Sequence, residues 1–372
     1  MKEENKKPKK KIAIFHNYLD NIGGAEIVGL TLARELNADV YTTNIDKEKI
    51  RKMGFNDVNI ISIGKVPLNA PFRHQLAFLK FRLLNLKKKY DFYIIDGDWA
   101  MSGAVKNHPN LWYVHSPIRE IWDSYEYTRK NIVPKHLRFI FDIWVSINRY
   151  LNRKYVRKVD NIACNSNNTK NRLRKFLDKK ATVINPPIEA SKFHYKENGD
   201  YWLSVNRLLK PKRVEMQIRA FQKMPKEKLI IVGSYEKSVH FLEYTNYLKK
   251  IKPQNVEIKS WVNHRDLIKL YANCKGFITT SIDEDFGMSV VEAMASGKPV
   301  IAPNEGGYKE TIINNKTGIL IDNIDEDKVI KAVKNVGKNP KKYKSACIKQ
   351  AKKFDTKVFI KKIKEVIKNG KT

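Results

Sequence analysis

The chain has 372 residues, 42% of them hydrophobic, and a formal net charge of +33. That length and apolar content suit two globular domains with cores of their own and argue against a disordered chain. No run approaches the eighteen or so apolar residues of a membrane span, the lysine-rich start has no apolar segment suited to a signal peptide, and three widely spaced cysteines form neither a disulfide framework nor a zinc pattern. A cytoplasmic protein is therefore expected, with Cys164, Cys274 and Cys347 as small core or surface residues. The charge has two readings. Either lysine is simply abundant and spread over solvated helix faces, or the chain meets an anionic membrane or a phosphate-bearing substrate. No zinc-finger, RNA-recognition or basic-zipper signature is present, so nucleic acid is not an expected partner.

Short apolar strands alternate with helical patterns from end to end, the pattern of parallel sheets covered by helices. The first series is expected at 11–17, 39–43, 59–63, 92–97, 111–115, 161–165 and 182–185. The first of these strands runs into Gly23 and Gly24, which open a helix. Paired glycines let a backbone approach a ligand and aim amides at it, though a turn needing positive φ selects the same residues. Residues 72–89 and 137–158 are basic, aromatic and amphipathic together. They suit a peripheral contact with anionic lipid, and equally suit ordinary helices with an apolar face in the core. His115 ends an apolar strand. Pro186 and Pro187 halt the pattern, and 189–200 carries no periodicity, which puts a boundary there.

A second series follows at 202–207, 228–233, 255–260, 277–281, 299–303 and 318–322. The fold class expected is α/β: a Rossmann-like domain over 1–190, a second over 198–353, and an amphipathic terminal helix in 354–372. Two such domains leave a cleft toward which the carboxyl ends of both strand sets should face.

The most specific segment runs from Glu284 through Phe286, Gly287 and Met288 to Glu292, two carboxylates eight residues apart across a loop and the helix after it. A helix amino terminus is an anion site, and a carboxylate among apolar neighbours, as Glu292 is, needs a partner such as sugar or ribose hydroxyls. Arg207 and Lys212 fall at the carboxyl end of an earlier strand, where two cations suit a diphosphate. Gly23, Gly24, His115, Arg207, Gly233, Glu284 and Glu292 all map to strand carboxyl ends or the helix starts that follow them.

These residues resemble the retaining glycosyltransferases of the GT-B fold, family 4, over nearly the whole chain. The likeness rests on the two glutamates with Glu284-Asp285-Phe286-Gly287, on Gly23-Gly24-Ala25-Glu26, on Arg207 to Lys212, on Val232-Gly233-Ser234 and on Gly306-Gly307. Tyr113 to Pro117 with Arg119, Trp122 and Asp123 resembles the mannosyltransferase-type branch. The resemblance implies that Arg207 and Lys212 bind a donor diphosphate, that Glu292 bonds the ribose, and that Glu284 with the amides of Phe286, Gly287 and Met288 holds the sugar. Gly23 and Gly24 would close on the diphosphate and His115 would lie against the transferred sugar. Trp261 and Val262 would border the base. The terminal helix would cross back onto the first domain.

The same resemblance implies a nucleotide-diphosphate sugar as donor, GDP-mannose favoured, a glycan or lipid-linked saccharide as acceptor, and no catalytic metal or other cofactor. Asp96-Gly97-Asp98 imitates a metal-binding Asp-x-Asp but lies on an early strand of the other domain. The alternatives are a sugar-nucleotide epimerase or a phosphorylase of the same fold and, in another class, a basic nucleic-acid or membrane-surface binding protein.

Overall fold

The computed structural model describes residues 10–21, 23–68, 72–197, 199–234, 239–260 and 262–370. Seven strands, β1 (Ile12–Phe15), β2 (Asp39–Thr42), β3 (Ile60–Ser62), β4 (Phe92–Ile95), β5 (Asn110–Val114), β6 (Asn161–Cys164) and β7 (Thr182–Val183), form one sheet in the order β3-β2-β1-β4-β5-β6-β7. Six more, β8 (Tyr201–Arg207), β9 (Lys228–Ser234), β10 (Val256–Lys259), β11 (Gly276–Ile278), β12 (Val300–Pro303) and β13 (Gly318–Ile321), form a second in the order β10-β9-β8-β11-β12-β13. Every strand pairing is parallel. The expected strands all form, with ends that differ by a few residues. Every residue of β1, β4, β5 and β12 is buried, which is why these strands, but for Asn110 at the start of β5, read as unbroken apolar runs.

Parallel neighbours need a crossover, and helices supply it. In the first sheet the winding reverses between β1 and β4, and in the second between β8 and β11. At such reversals the connections after the two strands diverge and leave a crevice at their carboxyl ends. Phe15, Phe81, Tyr93 and Trp112 sit in the core around the first sheet, and Trp202, Phe221, Tyr271 and Phe277 in that around the second. All three cysteines are buried thiols that form no disulfide.

The chain divides into two compact units. One takes the chain up to Asn165, then Thr169–Ile184 and the chain from Ile360 on; the other takes Ser166–Asn168 and Asn185–Phe359. The terminal helix Thr356–Asn369 buries Phe359, Ile360, Ile363 and Ile367. Val358, next to Phe359 on the same helix, is exposed. Lys10 Nζ donates to the Ile367 carbonyl at 3.2 Å, a contact within the first unit.

Candidate active site

In the second unit the site grows from the loops that leave β8 and β11. After Arg207, exposed at the end of β8, the chain makes a 3₁₀ turn at Lys210–Lys212 with Pro211 in second place, where its missing N–H costs nothing. Arg213 follows with φ +50 and donates from Nε to the Thr280 carbonyl at 2.5 Å and from Nη2 to Glu305 at 3.2 Å. Ile282 N donates to the Pro211 carbonyl, and Thr280 Oγ1 to the Lys212 carbonyl, each at 2.8 Å. The two loops are thus tied together, and the tie brings Lys212 Nζ onto the Glu284 carboxylate in an ion pair about one-fifth exposed on either side.

The Glu284 backbone is held from beneath. Gly307 N donates to its carbonyl at 2.8 Å, and a Cβ on Gly306, which has φ +54, would lie 2.4 Å from that oxygen. Gly287 has φ +91 and caps the helix Met288–Ala295, and a Cβ there would meet the Tyr308 ring at 2.7 Å, so both conformation and space require glycine. Phe286 is buried with its ring edge-on to Phe354, which leaves its backbone amide as the part able to serve a ligand. Tyr308, also buried, bonds Thr279 through its hydroxyl at 2.9 Å. Burial and the Glu284 charge push its phenol well above the usual range.

Glu292 stands in the second turn of that helix. Its carboxylate accepts the Tyr271 hydroxyl at 2.7 Å. Burial raises its pKa and the Tyr271 hydrogen bond works against that. Gly233 lies in β9 opposite Asn206, and a Cβ on it would meet the Leu208 side chain at 2.5 Å, a packing reason for glycine at that position. Val262 lines an open groove with Tyr201, Ile258 and Leu270. Trp261 lies outside the described residues.

The first unit carries its own cluster at the β1–β4 reversal. Asp96, directly after β4 and wholly buried, accepts His115 Nε2–H at 2.8 Å and His16 Nδ1–H at 2.9 Å. Burial opposes charge on both Asp96 and His115, but the attraction between them outweighs it: Asp96 is held below the usual carboxylate range, and His115 above the usual imidazole range, helped by Asp98 and Glu26. Gly23 precedes the helix Gly24–Leu36 with φ −160, extended backbone that any residue adopts, so the positive-φ explanation for this pair fails at Gly23. What a side chain at Gly23 would meet is Glu26 Oε2, at 2.6 Å.

Two family descriptions match the chain in succession: Glycosyltransferase Family 4 over residues 22–192 and Glycosyl transferases group 1 over residues 188–354. An alpha-1,3/1,6-mannosyltransferase ALG2 of Candida glabrata is 26% identical, the match covering 82% of this chain and 78% of that protein. An alpha-monoglucosyldiacylglycerol synthase of Streptococcus pneumoniae is 26% identical over 82% of this chain and 74% of its own length. The crystal structure of Anabaena Alr3699/HepE with UDP and glucose is 17% identical and superposes with a TM-score of 0.76 over 96% of this chain and 99% of that one.

The chain belongs to the GT-B glycosyltransferases. In this glycosyltransferase the structure brings Lys212, Glu284 and the amino end of the Met288–Ala295 helix together in one unit, and sets His115 in the other. Reading the sequence missed Asp96, set aside as a metal-site imitation. Its role follows from where the chain ends a buried strand, at the same sheet edge as His115, and that edge position is the signal that would have revealed it. It also missed Tyr271, Tyr308 and Arg213, whose contacts come from segments 21, 29 and 67 residues away.

Proposed function

We propose that this glycosyltransferase moves a mannosyl unit from GDP-mannose to a hydroxyl of a glycan or lipid-linked saccharide, with retention at the anomeric carbon and without a catalytic metal. The observation that carries the reading is the Lys212–Glu284 pair ahead of the Met288–Ala295 helix, on the loops that follow β8 and β11 at the reversal of the second sheet. Relatives named as mannosyltransferases support the sugar, one named for a diacylglycerol product supports a lipid-borne acceptor, and a fold neighbour holding UDP-glucose supports a nucleotide-sugar donor.

Arg207 and Lys212 are assigned to the diphosphate, Glu284 with the amides of Phe286, Gly287 and Met288 to the sugar, and Glu292 to the ribose. In the first unit Gly23 and Gly24 are assigned to the diphosphate and His115 to the transferred sugar. Chemically, the bond from the anomeric carbon to the diphosphate oxygen breaks while the acceptor oxygen bonds that carbon on the same face. The acceptor's proton passes to the departing diphosphate. Negative charge grows on the leaving group, and a cation pair with oriented amides stabilises it where it forms.

The test is turnover of GDP-mannose, UDP-glucose and UDP-galactose with a saccharide-lipid acceptor, the anomer of the product being read by NMR. GDP release that requires acceptor and gives an α-mannoside is expected. Preference for a UDP-sugar overturns the donor assignment, and a β-mannoside overturns retention. Interconversion of donor without acceptor would indicate an epimerase, and dependence on free phosphate a phosphorylase.

A further inference from the structure

Twelve of the seventeen large apolar side chains exposed among the described residues fall between positions 68 and 83 or 132 and 150, all in the first unit. On the helix Phe72–Leu83, Phe72, Leu76, Leu79 and Leu83 repeat at helical spacing on the exposed side while Ala77 and Phe81 are buried. On Arg138–Val156, Phe139, Ile140, Ile143, Ile147 and Tyr150 do the same while Val145, Asn148, Asn152 and Val156 are buried. This inverts the usual amphipathic arrangement, in which the apolar face is the buried one. Phe72 is 70% exposed and Phe139 74%.

The two helices lie side by side. Gln75 Nε2 donates to Asn148 Oδ1 at 3.1 Å, Arg82 Nε to the Tyr155 hydroxyl at 3.3 Å, and Phe78 meets the Tyr155 ring edge-on at 4.8 Å. The contacts advance together along both helices, so the helices run in the same direction. Both also pack on the turn Ala100–Val105, which leaves their outer sides contiguous. The border is basic. Residues 65–90 hold seven lysines and arginines and no acid, and residues 132–158 hold seven with a single acid, Asp142, which is bonded to Arg129. Lys87, Lys88 and Lys89 follow the first helix, and Arg153, Lys154, Arg157 and Lys158 close the second, all exposed.

We infer that this face of the first unit docks on an anionic lipid bilayer. The apolar rows enter the boundary between headgroups and acyl chains while the bordering cations meet the phosphates. A second copy of the chain is a poor occupant, because it would set like charge against like charge at the border. The inference stands apart from the donor assignment, and its test uses no sugar.

Sedimentation of the purified full chain with vesicles of phosphatidylglycerol and phosphatidylcholine, against phosphatidylcholine alone, decides it. Binding to the anionic vesicles that weakens as salt is added is expected. Phe139→Ser, Ile143→Ser and Ile147→Ser combined should weaken it by about 100-fold or more, and Lys87→Gln, Lys88→Gln and Lys89→Gln combined by about 100-fold. Should the first variant melt early, the lysine variant, in exposed positions after the helix, carries the decision. Failure of the wild-type chain to sediment, equal binding to both vesicles, or variants that bind as tightly as wild type would overturn the inference. So would a dimer in water that the apolar variant disperses without any vesicle binding.

Discussion

A Cβ built on Gly29 would lie 2.3 Å from Oδ2 of Asp96 and 3.3 Å from Nδ1 of His16. The helix Gly24–Leu36 passes so close to the end of β4 that hydrogen alone fits, and the buried carboxylate has no room to retreat. Gly29→Ala should therefore displace Asp96 from its histidines and cost about 2 kcal/mol or more, a melting temperature lower by roughly 4–8 °C. Thermal denaturation checks this, and an unaltered melting temperature would show that the slot is looser than the distance implies.

The Asp96 carboxylate makes a prediction in pH. His115 titrates above the ordinary imidazole value of 6.5, so its contribution to stability is fully present below that value and is lost as pH rises through the raised pKa. Asp96 titrates below the ordinary 3.8, so its contribution is present above that value and lost as pH falls through the lowered pKa. Asp96→Asn removes the charge that outweighs burial, and the His115 pKa should then fall. Titration of its ring by NMR reads the change directly. If the pKa stays where it is in the wild type, Asp98 and Glu26 rather than Asp96 set it.

Arg207→Ala or Lys212→Ala should each lower turnover by about 100-fold or more, near 3 kcal/mol, if these cations hold the leaving diphosphate. Because Lys212 is ion-paired with Glu284, Lys212→Ala and Glu284→Gln should not add, with a coupling of about 1 kcal/mol in a double-mutant cycle. Wild-type rates in both alanine variants would remove the pair from the mechanism.

Dialysis against EDTA should leave turnover unchanged, since side-chain cations and helix amides are the proposed counter-charge to the diphosphate. A rate lost on chelation and restored by magnesium would move that role to a metal.

The sheets were legible because strands such as β4, buried on both faces, carry an unbroken apolar run that no helix of equal length would need. Their ends were less so. Residues 279–281 continue the run of β11 past the end of the strand: Thr279 N still donates to the Ile301 carbonyl of β12 at 2.9 Å, while Thr279 and Thr280 turn their hydroxyls to Tyr308 and Lys212. Glu284 and Glu292 stood out because an acid beside a helix start among apolar neighbours is conspicuous in the chain itself. Asp96 did not, since its meaning lies in His16, 80 residues away, and in a glycine across the gap. The exposed rows on Phe72–Leu83 and Arg138–Val156 show the same limit: the sequence period marks two faces on each helix, and only packing decides which one is turned inward.

The main-chain bond from Ile282 to Pro211, with Arg213 reaching across to Thr280, makes the turns after β8 and β11 a single rigid part. Lys212 and Glu284 therefore travel as one body and hold their spacing through any bending of the chain around them. A descendant of this protein with a different sugar preference would have to change side chains mounted on that frame, because the frame offers no way to re-aim one residue while leaving the other in place.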